Sequence, residues 1–202
     1  MRRYFSDAMT FARNIEPDEL NALPLRSFNG RIHVVENVDG IDQALTVLGR
    51  QQFLGFDTET RPSFKKGKIN PVSLLQLATS DEVFLFRLNR TGGHEGLGRL
   101  LSNPRIRKIG AAIHEDTRGL RHYFPSELKG LIDLQELAKD YGIENISIKK
   151  LAGIVLGFRI SKSQQLSNWE ADSLTEAQLS YAATDAWVAL EIYLKLRRNA
   201  HK

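Results

Sequence analysis

The chain has 202 residues, 42% of them hydrophobic, enough apolar material for one medium domain and too little length for two full ones. Lys and Arg number 28 against 24 Asp and Glu, giving a net charge of +4, and the absence of Cys excludes a disulfide framework and zinc–thiolate sites while fitting a reducing compartment. No apolar run approaches the length of about 18 residues that a membrane-spanning helix needs, and MRRYFSDAMTFARNI lacks the apolar stretch of a secretory leader, so an intracellular protein is expected, cytoplasmic or nucleoid-associated.

Residues 1–30 show no sustained period apart from EPDELNAL, where Pro17 suits a first helical turn. They are expected to form an arm packed on a domain spanning 31–202. From Arg31 the pattern turns to strand (RIHVVEN), helix (DGIDQALTVLGR) and buried strand (QFLGFDTE). PVSLLQLAT and EVFLFRL, parted by Ser80 and Asp81, read as a hairpin, which predicts antiparallel strands beside QFLGFDTE. HEGLGRLLSN reads as a helix, RIRKIGAAI as a strand, EDTRGLRHYF as a helix, and GLIDLQELAKDYG as a strand running into a helix. SIKKLAGIVLGF is an amphipathic helix with Gly157 as its C-cap. From Thr175 to Arg198, Leu179, Ala182, Ala183, Ala186, Leu190 and Leu194 recur at helical spacing. Hairpin first and alternating strands and helices after it predict an α/β fold, a mixed sheet covered by helices.

Three separated acidic blocks stand out: Asp57 and Glu59 in FLGFDTET, Asp116 in IGAAIHED, and Asp185 four residues after Tyr181 in SYAATD. Residues two apart on a strand share a face, so Asp57 and Glu59 can aim at one site while Thr58 points away. Tyr181 and Asp185, at i and i+4 of a helix, also share a face. Each block alone has a plain structural reading. An acidic pair can be a solvated strand end, Tyr181 a core aromatic, and Asp116 an N-cap or first-turn acid. Converging, four carboxylates are what a pair of divalent cations about 4 Å apart requires of its oxygen ligands.

The blocks, with NPVSLLQLAT after the first, IGAAIHEDTRGLRHYF around the second and QLSNWEADSLTEAQLSYAATDAWVALEIYLKL through the third, resemble the DEDD superfamily of 3′-to-5′ exonucleases in its Y-x-x-x-D subgroup. The likeness is to exonuclease domains of the Werner-syndrome type and, more distantly, the ribonuclease D type, and it covers roughly residues 30–198. It implies a ribonuclease H-like fold: a mixed sheet of five or six strands, its first three antiparallel, flanked by helices on both faces. It also implies two divalent cations, Mg²⁺ or Mn²⁺, with Asp57 bridging both, Glu59 and Asp185 completing the first and Asp116 supporting the second. Tyr181 would orient the attacking water. The implied substrate is nucleic acid with a free 3′ end, DNA with RNA as an additional substrate, and no protein partner is implied. The chain stops at Lys202 without the further helical domains of ribonuclease D, which favours a stand-alone exonuclease. The alternatives are an RNA 3′-end trimming enzyme and a non-catalytic nucleic-acid-binding adaptor.

Substrate contacts are expected from Thr58, Arg61, Lys65, Lys66 and Lys162, with Lys68 and a stacking Phe64 in the same loop as the first lysines. A solvated loop is the plainer reading of that segment. Trp169 reads as packing. His114, two residues before Asp116, invites a role as base or ligand, although oxygen ligands already suffice.

Overall fold

The computed structural model describes residues 11–63 and 70–200, Glu115 by its backbone alone. In chain order the elements are α1 (Pro17–Ala22), β1 (Arg31–Val35), α2 (Val38–Leu48), β2 (Phe53–Thr60), β3 (Val72–Ala78), β4 (Glu82–Arg87), α3 (Leu88–Thr91), α4 (Glu95–Ser102), β5 (Arg107–Gly110), α5 (Ile113–Leu120), β6 (Leu131–Asp133), α6 (Leu134–Asp140), α7 (Ile148–Leu151) and α8 (Glu176–Ala200). A π turn, Ala152–Leu156, prolongs α7 and ends at Gly157, whose φ of 76° lies in the left-handed region that glycine adopts without a Cβ penalty.

The six strands form one mixed sheet in the order β1-β4-β3-β2-β5-β6. β2, β3 and β4 are the antiparallel set, and β5 and β6 continue the sheet in parallel from β2. RIHVVEN is an additional edge strand, β1, parallel to β4: α2 carries the chain across the sheet, so β1 and β2 run the same way. The β3–β4 turn closes where the Thr79 amide donates to the Glu82 carbonyl at 2.8 Å and the Thr79 hydroxyl accepts from the Asp81 and Glu82 amides. Asn37 caps α2 by accepting from the Gly40 amide at 2.8 Å.

Alternation along β2 divides the sheet's two faces. Leu54 and Phe56 join a core with Ile41 and Leu48 of α2, Leu97 and Leu101 of α4, and Ile113 and Leu120 of α5. Gly55, Asp57 and Glu59 take the other face, the one α8 covers through buried Tyr181, Ala182, Ala183 and Ala186. Burying each large apolar side chain contributes roughly 1.5–3 kcal/mol, and the β2–β4 meander carries several on both faces. The acidic pair is therefore mounted on a central, rigid strand.

The segment before α8 is tied down by the end of β4. Arg87, 1% exposed, donates to Glu36 Oε1 at 2.9 Å and to the carbonyls of Asp172 and Ala171, fixing the stretch that carries fully buried Trp169. Upstream, residues 24–28 run beside Arg159 and α8: the Arg26 amide donates to the Arg159 carbonyl at 2.9 Å, and the Phe28 amide to Thr184 Oγ1 at 3.0 Å. Lys108, wholly buried in β5, donates to the carbonyls of Asn103 and Ile106; burial pushes its pKa down to about 8. Among the described residues no helix is long and apolar enough to cross a membrane.

Candidate active site

Asp57 and Glu59 at the carboxyl end of β2 meet Asp185 from the middle of α8, and one ligating oxygen from each lies within 4.8 Å of the others. Asp185 is 3% exposed. Its Oδ2 accepts from the Lys162 ammonium at 2.7 Å, and its Oδ1 is buried with no hydrogen-bond partner. Tyr181, one turn earlier, is buried between Trp169, with ring centroids 5.9 Å apart, and Lys162, whose Nζ stands 5.3 Å from the ring centroid.

Asp116 is placed differently from those three. It lies in the first turn and a half of α5, whose start is turned by Ala112 in a left-handed conformation, φ 56°, with the Ala112 amide donating to Asp133 Oδ1 at 3.3 Å. Its Oδ1 accepts from the Thr58 hydroxyl at 2.6 Å. Thr58 thus points away from the α8 face, as strand alternation requires, and its hydroxyl serves the second acidic block. Asp116 remains near enough for its charge to act on both Asp57 and Glu59.

The electrostatics are those of crowded, desolvated acids. Burial, followed by the charges of Asp185 and Asp116, holds Asp57 well above the usual carboxylate range. Burial and the charges of Asp57 and Asp185 push Glu59 up to about 9. Burial also raises Asp185, against the lowering effect of Lys162 and the Tyr181 hydroxyl. Tyr181 is pushed far up by burial and by Asp185, so its hydroxyl keeps its proton at any working pH. A divalent cation fits this donor set: three carboxylates converge, one offers a buried oxygen with no partner, and all donors are hard oxygens.

A pH dependence follows. Glu59 binds its proton more tightly in the folded protein than in the unfolded chain, so with a chelator present its contribution to stability is full below about pH 4.5 and is lost as pH rises through about 9. Between pH 6 and 9.5 in EDTA, Glu59→Gln should lose less melting temperature than the wild type. Equal losses in calorimetric scans would contradict the raised pKa.

Beside the cluster a cavity of about 410 Å³ opens along Asp57 and Asp185. Its walls include Gln135, Ser147, Lys149, Lys162 and Gln165. Of the expected substrate contacts, Arg61 is exposed and paired with Glu170 at 3.3 Å, and Lys162 sits on Asp185. Phe64, Lys65, Lys66 and Lys68 lie outside the described residues. His114 is exposed and takes no part in the carboxylate cluster; Trp169 is packing. Three residues that sequence reasoning missed are Asp133, which positions α5 and caps α6 through the Gln135 amide at 2.8 Å, Lys149 in the cavity wall, and Gln76. Gln76 is the β3 partner of Asp57, fully buried with neither amide atom hydrogen-bonded. A glutamine in the otherwise apolar run LLQLA was the available signal for it.

Fold and site together define a ribonuclease H-like domain with an acidic centre at the carboxyl end of its central strand. The family model for the 3′-5′ exonuclease domain matches residues 32–200, and the chain belongs to that family. It is 36% identical over 149 residues to the bifunctional 3′-5′ exonuclease/ATP-dependent helicase WRN of Mus musculus, covering 71% of this chain and 11% of that protein. It is 37% identical over 143 residues to exonuclease 3′-5′ domain-containing protein 2 of Mus musculus, covering 65% of this chain and 22% of that one. The chain thus spans well under half the length of these relatives. Among solved structures, the Nibbler EXO domain of Aedes aegypti superposes with a TM-score of 0.79 at 26% identity, covering 87% of this chain and 93% of the other. Escherichia coli RNase D shares the fold, with a TM-score of 0.76 at 24% identity over 86% of this chain and 46% of that one.

Proposed function

We propose that this chain is a metal-dependent exonuclease that removes nucleotides one at a time from the 3′ end of DNA, with RNA as an additional substrate, and releases nucleoside monophosphates. The observation that carries this reading is that Asp57, Glu59 and Asp185 each bring a carboxylate oxygen within 4.8 Å of the others. Two Mg²⁺ or Mn²⁺ ions are the cofactors, held by Asp57, Glu59 and Asp185 with Asp116 supporting the second. When bound, they supply an acidified water and neutralise charge on the phosphate and the departing 3′-oxygen.

The chain's own residues do the rest. β2 holds two carboxylates on one rigid face, and α8 brings the third against them. Thr58 fixes the Asp116 carboxylate by its hydrogen bond. The Tyr181 hydroxyl, protonated throughout, orients the attacking water as a donor or acceptor and not as a base. Tyr181→Phe keeps the ring packed on Trp169 and keeps every carboxylate, removing only the hydroxyl and its hydrogen bond to Asp185. It should lower kcat by about 10²-fold through misorientation, with Mn²⁺ affinity unchanged. Single-turnover rates equal to wild type would remove the hydroxyl from the mechanism.

The competing reading, a nucleic-acid adaptor without turnover, leaves unexplained why Asp185 and Asp116 should stay close enough to raise the pKa of Asp57 and Glu59. The test is a product ladder from 5′-labelled single-stranded DNA, recessed duplex DNA and RNA, with Mg²⁺, Mn²⁺ or EDTA. Metal-dependent shortening from the 3′ end supports the enzyme, and the relative rates rank sugar and end structure. Folded, metal-binding protein that shortens none of them supports the adaptor.

A further inference from the structure

We propose that Lys162 is the built-in counter-ion of the acidic site: its ammonium and the entering divalent cation compete for Asp185, and once displaced it turns to a substrate phosphate in the adjoining cavity. This rests on reading Asp57, Glu59 and Asp185 as metal ligands. Lys162 Nζ lies 2.7 Å from Asp185 Oδ2, on a carboxylate whose other oxygen has no partner. The same ammonium acts on Asp57 and Glu59, lowering the pKa of both against the acids around them. It is therefore the positive charge on which the whole cluster leans.

Geometry gives the ammonium somewhere to go. Lys162 is 28% exposed in its side chain, against 3% for Asp185, and while its carbonyl is held in a turn by the Gln165 amide at 3.4 Å, its ammonium can move by rotation about the lysine's own side-chain bonds. It lines the cavity with Lys149, Gln135 and Gln165, so the described wall carries two ammonium groups beside the carboxylates of Asp57 and Asp185. A cation seated on Asp185 would repel Lys162 at close range in a partly dry site, where such repulsion is weakly screened. A phosphodiester lying along Asp57 and Asp185 would accept it there. On its present side the Tyr181 ring face supports the ammonium, so both positions are stabilised. Lys162 is thus a positioning residue: it keeps the acids assembled before the metal arrives and steadies the phosphate afterwards.

Neutral replacements separate these roles from mere packing. Mn²⁺ binding to the whole chain is measured by calorimetry and by the electron paramagnetic resonance of free ion, alongside steady-state hydrolysis of labelled DNA at saturating Mn²⁺. Lys162→Met should bind Mn²⁺ about tenfold tighter than wild type, since a repelling charge is gone, yet show kcat/KM lowered about tenfold by loss of the phosphate contact. Lys162→Gln, which keeps a donor for Asp185 and guards against misfolding, should change in the same directions. Mn²⁺ affinity equal to or weaker than wild type in both variants overturns the competition, and unchanged kcat/KM overturns the phosphate contact. Wild-type protein that neither binds Mn²⁺ nor cleaves any substrate would instead refute the reading of the site as a metal-dependent nuclease.

Discussion

Asp57→Asn is expected to lower terminal phosphodiester hydrolysis by about 10³-fold or more, because the several kcal/mol of charge stabilisation that metal ions supply are lost at about one decade per 1.36 kcal/mol. Asp57 shares the cluster with Glu59 and Asp185, feels the charges of Asp185 and Asp116, and itself raises Glu59, so its carboxylate is coupled to all three of the other acids. The amide keeps the size and shape of the side chain and removes the repulsion that raises Glu59. The variant should therefore melt no lower than wild type in EDTA, and higher at alkaline pH, while losing the rise in melting temperature that Mn²⁺ gives by binding the folded state. Loss of activity with intact folding and a vanished metal response would place Asp57 in the metal site. An active Asp57→Asn protein would refute that placement, whatever its stability.

How much of this was legible beforehand depended on what a linear pattern reports. Period two in FLGFDTET and period near 3.6 in the last helix correctly divided each element into faces, so Asp57 with Glu59 and Tyr181 with Asp185 were readable as pairs. The β3–β4 hairpin was readable because Ser80 and Asp81 interrupt two apolar runs at turn spacing. Periodicity does not report which element covers a face. The edge position of β1, the pinning of residues 171 and 172 by Arg87 across 84 and 85 positions, and the seat of Lys162 on an acid 23 residues later are long-range pairings with no local signature. Thr58, expected as a substrate contact, also carries its hydroxyl towards α5 and Asp116, by the same alternation that turns it from the Asp57–Glu59 face. The π turn after α7 was likewise hidden, since AGIVL has the composition of an ordinary buried helix.

Gly55→Ala should damage both stability and activity through one contact. A Cβ at position 55 would stand 1.9 Å from the Ala186 carbonyl oxygen and 2.8 Å from its carbon, backbone atoms that no rotamer change can move aside. The glycine lets β2 and α8 touch main chain to main chain, and the alanines at 182, 183 and 186 complete that close seam. Restoring ordinary van der Waals distance requires α8 to lift from the sheet, an overpacking cost of about 3 kcal/mol or more, hence a fall in melting temperature of roughly 6–12 °C for a domain of this size. The same lift acts on chemistry, because Asp185 is the neighbour of Ala186 and Asp57 stands two residues beyond Gly55 on the same face. Displacement near 1 Å between reacting groups can cost about 10²-fold in rate, so activity should fall by that order even at temperatures where the variant is fully folded. Thermal denaturation and hydrolysis rates at low temperature, measured on the same sample, separate the two effects. Reduced stability with wild-type turnover would mean that the carboxylates tolerate a moved helix, and that metal binding, not the β2–α8 seam, sets their spacing.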